Sequence, residues 1–126
     1  IKAKKRTSIQ LMGKEFVDRI NEYRNIFPSG KLPSGKPGRV NVKTLENSFR
    51  WFFENYDYSW DTIMSATKLY VEEYQLKNYE YMRTSQYFIR KQNNSDKTFE
   101  SDLANFCEQY LNGEDTVEEI FREKIV

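Results

Sequence analysis

The sequence predicts an all-α protein, a compact bundle of five to six helices with one long basic loop that is rich in Pro and Gly. Apolar residues recur at helical spacing along most of the chain, which is typical of helices that bury one face. Residues 49–74 contain both tryptophans and a dense group of Phe and Tyr, so we expect the centre of the core there. All three prolines fall in residues 26–41 together with Gly30, Gly35 and Gly38, which concentrates the helix-breaking residues in one loop.

The length of the chain sets its domain organisation. With 126 residues, one domain can bury a core without disulfide bonds. We expect a basic tail or linker at residues 1–7 and a single helical domain at residues 8–126. Cys107 is the single cysteine, so it has no partner for an internal disulfide bond. We expect neither a membrane span nor a signal peptide, because every apolar run is far shorter than the about 20 residues that cross a bilayer.

The N-terminal segment combines a basic run with a helix start. The basic residues are Lys4, Lys5 and Arg6, and they are either a solvated tail or an arm that contacts phosphates. Thr7 and Gln10 have the spacing of a capping box, and apolar residues then recur on one helical face. The first helix is therefore predicted from about Ser8 to Asn25.

The long loop repeats a short motif, since Pro28-Ser29-Gly30-Lys31 returns as Pro33-Ser34-Gly35-Lys36. Gly30 to Lys36 also matches the pattern GxxxxGK of phosphate-binding loops. That match is an accident of composition, because a helix precedes the loop and Pro37 occupies the position of the magnesium-binding hydroxyl. We predict a semi-rigid loop that presents Lys31, Lys36 and Arg39, with Lys43 just beyond it, to a nucleic-acid backbone or an acidic partner.

Two aromatic helices follow the loop. Asn41 is a suitable N-cap for the second helix, which is predicted to end near Tyr56. Ser59 is the predicted N-cap of the third helix, from Trp60 to about Leu76. Because Trp60 follows the aromatic end of the second helix, we expect its side chain to be buried.

A second aromatic cluster lies between residues 79 and 91. Thr84 or Ser85 can cap a short helix that ends near Lys91, while a hairpin is the alternative because Tyr, Phe and Ile also favour strands. Tyrosines alternate with Arg and Lys here, as in platforms on which single-stranded bases stack. The candidate stacking residues are Tyr79, Tyr81 and Tyr87. Packing against the third helix is the competing interpretation, because Met82, Phe88 and Ile89 lie among them.

The C-terminal part of the chain is predicted to be helical after one more loop. Gln92–Lys97 is polar throughout and is predicted to be a loop. Ser101 is the predicted cap of a helix that ends at Gly113, since glycine tolerates the left-handed conformation that terminates helices. Thr116 and Glu119 form a capping box for a last, acidic helix.

Charge and side-chain chemistry favour a binding module over an enzyme. Residues 1–50 carry 12 Lys or Arg and four Asp or Glu, whereas residues 51–126 carry eight and 15, respectively. The halves either neutralise each other in the fold or present two surfaces to different partners. Histidine, the commonest general base and a common metal ligand, is absent from the sequence. We therefore expect no catalytic residues, no metal and no cofactor.

The order of several motifs is similar to that in helical modules of phage replication proteins of the replisome-organiser and helicase-loader type. These motifs are a basic loop ending in Gly38-Arg39-Val40-Asn41, Trp60-Asp61-Thr62-Ile63 in a helix, and Tyr87-Phe88-Ile89 in a later aromatic segment. The resemblance covers about residues 23–91. It implies a DNA-associated adaptor that binds another replication protein in the host cytoplasm, and it implies no catalytic residues.

The predicted function is thus a non-catalytic adaptor in phage DNA metabolism. Its basic N-terminal half is expected to contact nucleic acid, and DNA in particular, and its acidic C-terminal half a protein partner. The alternative is a structural or assembly protein of a virion, in which the two charged halves of neighbouring copies contact each other in a homo-oligomer.

Overall fold

The computed structural model describes residues 13–93 and 98–113. These residues form five helices and one two-stranded antiparallel sheet. In chain order the elements are α1 (Gly13–Ile26), α2 (Val42–Asn55), α3 (Trp60–Gln75), α4 (Ser85–Ile89), β1 (Lys91–Gln92), β2 (Phe99–Glu100) and α5 (Asp102–Asn112). The predicted all-α bundle is confirmed. The predicted basic tail, the capping box at Thr7 and the last acidic helix lie outside the described residues.

Side-chain caps define the helix boundaries as the sequence predicts. At the starts of α2, α3, α4 and α5 a side-chain oxygen accepts a hydrogen bond from the backbone N–H three residues ahead, which satisfies a donor that has no partner within the helix. The caps are Asn41 for α2 (2.9 Å), Ser59 for α3 (3.2 Å), Thr84 for α4 (3.2 Å) and Ser101 for α5 (3.1 Å). Gly113 ends α5 at a φ of 62°, in the predicted left-handed conformation.

Two predicted boundaries are wrong. The helix predicted from Ser8 to Asn25 is described from Gly13 to Ile26, and its predicted start lies outside the described residues. The short helix predicted to end near Lys91 ends at Ile89, because the chain turns extended at Arg90 and then enters β1. Gln92 was predicted to begin a loop, but it pairs with Phe99 in the sheet.

One continuous aromatic core joins the helices. Phe49 of α2 lies at its centre, with ring centroids 4.9 Å from Tyr23 of α1 and 5.0 Å from Trp60 of α3. On the other side of the bundle the rings of Tyr70 and Phe88 stack at 4.0 Å, which packs α4 against α3. Trp60 is 6% exposed, so its predicted burial is confirmed. Within the described residues, no helix is both long enough and apolar enough to cross a membrane.

Candidate nucleic-acid interface

The semi-rigid loop predicted at residues 26–41 lies at residues 27–41, hereafter the basic loop, and contains a small hairpin. Leu32 N–H donates to the carbonyl of Lys36 at 2.8 Å, and Gly38 N–H donates to the carbonyl of Gly30 at 3.1 Å. Between these bonds Lys31 and Pro37 form a non-hydrogen-bonded pair, so the hairpin loses no hydrogen bond because proline lacks an N–H. The glycines of the two repeats, Gly30 and Gly35, have φ values of 85° and 90°, which few other residues adopt.

Buried contacts fix the basic loop to α4. Leu32 is 4% exposed and belongs to the core. The carbonyl of Gly38 accepts a hydrogen bond from Ser85 N–H at 3.0 Å, and the Ser85 hydroxyl accepts one from Val40 N–H at 2.8 Å. A Cβ atom on Gly38 would lie 2.6 Å from the carbonyl oxygen of Pro28, so only glycine fits there without a backbone shift. The loop is therefore held in one position relative to the start of α4.

Two arginines bind the ends of the basic loop to α1. Arg24 Nε donates to the carbonyl of Val40 at 2.8 Å. Arg39 lies in the loop and bonds back toward α1. Its Nε donates to the backbone carbonyl of Phe27 at 2.8 Å, and its Nη2 donates to that of Asn25 at 3.1 Å. Arg39 was predicted to contact phosphates. Its Nε and Nη2 hold the loop by donating to the carbonyls of Phe27 and Asn25, and phosphate contact by this residue stays a prediction.

The lysines of the basic loop do not form one patch. Side chains alternate between the two faces of paired strands, so Lys31 and Lys36 lie on opposite faces of this hairpin. Lys36 lies on the face toward α4, with Nζ 5.0 Å from the ring centroid of Tyr87. Lys31 is exposed on the other face, and Lys43 is exposed in the first turn of α2. The predicted tail residues Lys4, Lys5 and Arg6 lie outside the described part of the chain.

The three candidate stacking tyrosines are also separated. Tyr79 is half-buried against the core, whereas Tyr81 is 86% exposed in the turn before α4. Tyr87 lies on the outer face of α4 and is 39% exposed. Arg83, which lies between these tyrosines in the sequence, is paired with Asp102. Among the three tyrosines, Tyr87 alone carries a lysine of the basic loop over its ring.

Sequence reasoning missed an aromatic pair formed between α2 and β2. Trp51 of α2 and Phe99 of β2 have ring centroids 5.8 Å apart. The guanidinium carbon of Arg90 lies 4.7 Å from the Phe99 centroid and 5.8 Å from the Trp51 centroid. Phe99 is 43% exposed, and Trp51 is half-buried. Both tryptophans were expected in the centre of the core, but Trp51 lies at its edge.

These contacts define a cation–aromatic surface, which consists of Lys36, Trp51, Tyr87, Arg90 and Phe99. Tyr87 and Arg90 lie three residues apart in the chain, and Arg90 is the C-cap of α4, where its N–H donates to the carbonyl of Gln86 at 3.0 Å. Ser85, Phe88 and Ile89 are buried on the opposite side of α4. The surface therefore assembles residues from the basic loop, α2, α4 and β2.

The charge around this surface is mainly positive. Residues 23–45, which include the whole basic loop, contain no Asp or Glu. Two carboxylates lie close in sequence to the rings: Glu54 follows Trp51 by three residues in α2, and Glu100 follows Phe99 and faces Lys91 across the sheet. The positive character is thus strongest on the side of Lys36 and Arg90.

The ionisable groups with clearly shifted pKa values lie away from this surface. Burial raises the pKa of the Cys107 thiol to about 12, so the thiol is protonated at neutral pH and is a poor nucleophile. Partial burial, with a hydrogen bond to Glu108, raises the pKa of Tyr58 to about 12. In the described ranges, no group of three or more His, Cys, Asp or Glu side chains could hold a metal ion.

No protein-family model matches the chain, and no curated protein or solved structure is significantly similar to it. A function is therefore inferred from the geometry of the chain itself. The resemblance to phage replication modules remains a prediction.

Proposed function

We propose that this protein is a non-catalytic nucleic-acid-binding adaptor. The observation that carries the proposal is the cation–aromatic surface, in which Lys36 lies over Tyr87 and Arg90 lies over Phe99 and Trp51. Cations supply the attraction to phosphates, and partly exposed rings supply surfaces on which bases stack. The neighbouring basic loop contains no carboxylate that would repel a phosphate backbone.

The order of the basic loop supports a binding role. Its hairpin is closed by backbone hydrogen bonds, and its ends are held by Arg24 and Arg39. A preformed loop loses little conformational entropy when it binds, so more of the interaction energy contributes to affinity. Lys31 and Lys43 are then available for additional phosphate contacts outside the cation–aromatic surface.

A second exposed region is suited to the protein partner of such an adaptor. Leu76 and Tyr81 are 87% and 86% exposed at the turn between α3 and α4. Three residues of this turn have left-handed backbone angles: Asn78 (56°), Tyr79 (62°) and Tyr81 (64°). Glu72 and Glu73 precede the turn, and Glu80 lies within it together with Lys77. An apolar contact bordered by carboxylates fits a partner with an apolar and basic face.

Phage DNA metabolism is the setting that we propose, on the strength of the motif order in residues 23–91. The second candidate function is assembly of a virion shell. The exposure of Leu76 and Tyr81 favours this candidate as well, because an apolar contact of this kind also serves to join identical copies.

The two candidate functions differ in whether the protein binds DNA and in whether that binding weakens as salt is added. We expect the full chain to bind DNA with an affinity that falls as ionic strength rises. Replacing Lys31, Lys36 and Lys43 by Gln is expected to reduce the slope of log affinity against log salt by about 0.7 to 0.9 for each lysine that binds a phosphate in the parent protein. Arg39 is left unchanged in this variant because it holds the loop, and circular dichroism checks that the helices remain.

An unchanged salt slope in the triple variant would contradict phosphate binding by these lysines. If the full chain binds neither single- nor double-stranded DNA at low salt but forms an oligomer that Leu76→Ser and Tyr81→Ser disrupt, the assembly function is the better account. Sedimentation of the chain at several concentrations distinguishes these results.

A further inference from the structure

We infer that the cation–aromatic surface binds single-stranded nucleic acid, with bases stacked on the rings of Phe99 and Tyr87 and phosphates held by Lys36 and Arg90. This inference rests on the proposed nucleic-acid-binding function and specifies its substrate. The two rings are 43% and 39% exposed, and each already has a cation about 5 Å from its centroid. At each ring a base can therefore stack on the aromatic side chain while its phosphate binds the neighbouring cation.

The end of α4 connects the two contact points. Tyr87 lies in α4, and Arg90 is the C-cap residue of the same helix, three positions later. The guanidinium carbon of Arg90 lies 4.7 Å from the ring centroid of Phe99. A short strand that follows the end of α4 is therefore expected to pass Tyr87 and Phe99 in succession.

The same geometry disfavours duplex DNA. In a duplex the base faces are covered by neighbouring bases, so an exposed ring gains nothing from stacking unless the strand is opened. A helix that reads a groove lies along it, whereas α4 has five residues and a length of about 7 Å. The exposed side of α2 is longer, but it mixes Lys43 and Arg50 with Glu46 and Glu54, which lowers its attraction for a duplex backbone.

A neighbouring carboxylate orients the bound strand. Glu54 lies one turn beyond Trp51 in α2, whereas Glu100, which follows Phe99 in β2, points to the other face of the sheet. Glu54 therefore repels phosphates from the Trp51 end of the surface. The backbone of the strand is expected along Lys36 and Arg90, with its bases turned toward Tyr87 and Phe99.

Trp51 provides a direct signal for this arrangement. It contacts Phe99 at the edge of the core, whereas Trp60, the other tryptophan, is 6% exposed. Titration of the full chain with oligodeoxythymidylate is expected to quench the fluorescence of Trp51 by stacking beside it. Trp51→Phe is expected to remove the quenching, which assigns the signal to Trp51 and not to Trp60, and binding of the strand is followed separately by fluorescence anisotropy of a label.

Ring removal measures the stacking contribution. Phe99→Ala and Tyr87→Ala are each expected to weaken binding to the oligodeoxythymidylate about tenfold to a hundredfold, the range expected for loss of one stacked base. Tyr110→Ala is the matched control, because Tyr110 is an aromatic residue of α5 with a similar exposure of 41%. It is expected to leave the affinity unchanged. Thermal unfolding of each variant checks that the fold is retained.

The outcomes separate this inference from the proposed function. Single strands bound more tightly than a duplex of the same length, with selective loss in the Phe99 and Tyr87 variants, support it. If the duplex is bound at least as tightly and the ring variants bind like the Tyr110 control, the inference is overturned while nucleic-acid binding stands. Failure of the full chain to bind either form at low salt overturns both.

Discussion

The hydroxyl of Tyr23 donates a buried hydrogen bond to the backbone carbonyl of Ser85 at 2.6 Å. This bond connects α1 with the first turn of α4, 62 residues later in the chain. Ser85 also binds Gly38 and Val40, so α1, the basic loop and α4 meet at one residue. The cation–aromatic surface on the outer side of α4 is positioned by this buried junction.

Removal of the Tyr23 hydroxyl tests the junction. Tyr23→Phe keeps the ring but leaves the buried carbonyl of Ser85 without this donor, so we expect a loss of about 1 to 3 kcal/mol of unfolding free energy. Urea denaturation followed by circular dichroism measures the change. Tyr110→Phe, at an exposed position of α5, is the matched control and is expected to shift the midpoint little. Equal midpoints for both variants would show that the junction contributes nothing to stability.

The burial of Trp60 predicts a large difference between two substitutions. Trp60→Ala removes an aromatic ring that packs on Phe49 and Phe53 at 5.0 Å, and it is expected to cost about 3 to 5 kcal/mol. Trp60→Phe is expected to cost less, since it keeps a ring and removes a buried Nε1 that has no hydrogen-bond partner among the described residues. Urea midpoints rank the two variants. A midpoint for Trp60→Ala equal to that of the parent would mean that the ring is not part of the core.

The close approach at Gly38 predicts that even one methyl group disturbs the basic loop. In Gly38→Ala the new Cβ would lie 2.6 Å from the Pro28 carbonyl oxygen, so the backbone must shift, at a cost of about 1 to 3 kcal/mol. Hydrogen exchange at the amides of Val40 and Ser85, which bond across the junction, is expected to accelerate. Ser29→Ala, at an exposed position of the same loop, serves as the control. Unchanged exchange in the glycine variant would contradict the observed packing.

The raised pKa values predict a loss of stability in alkaline solution. Burial raises the pKa of Cys107 from 9.0 to about 12, and burial with the Glu108 hydrogen bond raises that of Tyr58 from 10.0 to about 12. At a pH between the ordinary and the raised pKa of each group, the unfolded chain releases a proton that the folded chain retains. The free energy of unfolding therefore falls as pH rises. We expect stability to be unaffected by these groups below pH 9 and to decline from about pH 9 to 12.

A variant identifies the contribution of the thiol. Cys107→Ala removes the group that begins to titrate first, so the decline is expected to start nearer pH 10, the ordinary value for tyrosine. Urea midpoints measured across the alkaline range give the two curves. Identical pH dependence in parent and variant would mean that the thiol is exposed in the folded protein.

The sequence predicts the helices well because their boundaries are local. Asn41, Ser59 and Ser101 cap the helices that were predicted for them, and Gly113 ends α5, because each of these signals acts within one turn of its own residue. The φ of 66° at Gly13 is less predictable, because apolar residues at helical spacing occur in the sequence on both sides of that residue.

The candidate site is less predictable because it depends on contacts between distant segments. Lys31 and Lys36 appear equivalent in the repeat, but closure of the hairpin places them on opposite faces. Trp51 and Phe99 are 48 positions apart, and their contact requires both the β1–β2 pairing and the packing of α4. The polar residues 92–97 predict a turn, but no local feature of the sequence indicates that β2 brings the ring of Phe99 to α2.

Arg24 and Arg39 hold the basic loop through backbone carbonyls, so the loop can keep its shape when its exposed side chains change. Every residue carries a carbonyl, so these bonds place no demand on the side chains at positions 29, 31 and 34, which are exposed. The chemical character of the loop is therefore separable from its shape. A library randomised at these three positions is expected to yield folded members with altered charge and partner preference, and so offers a route to new specificities on an unchanged backbone.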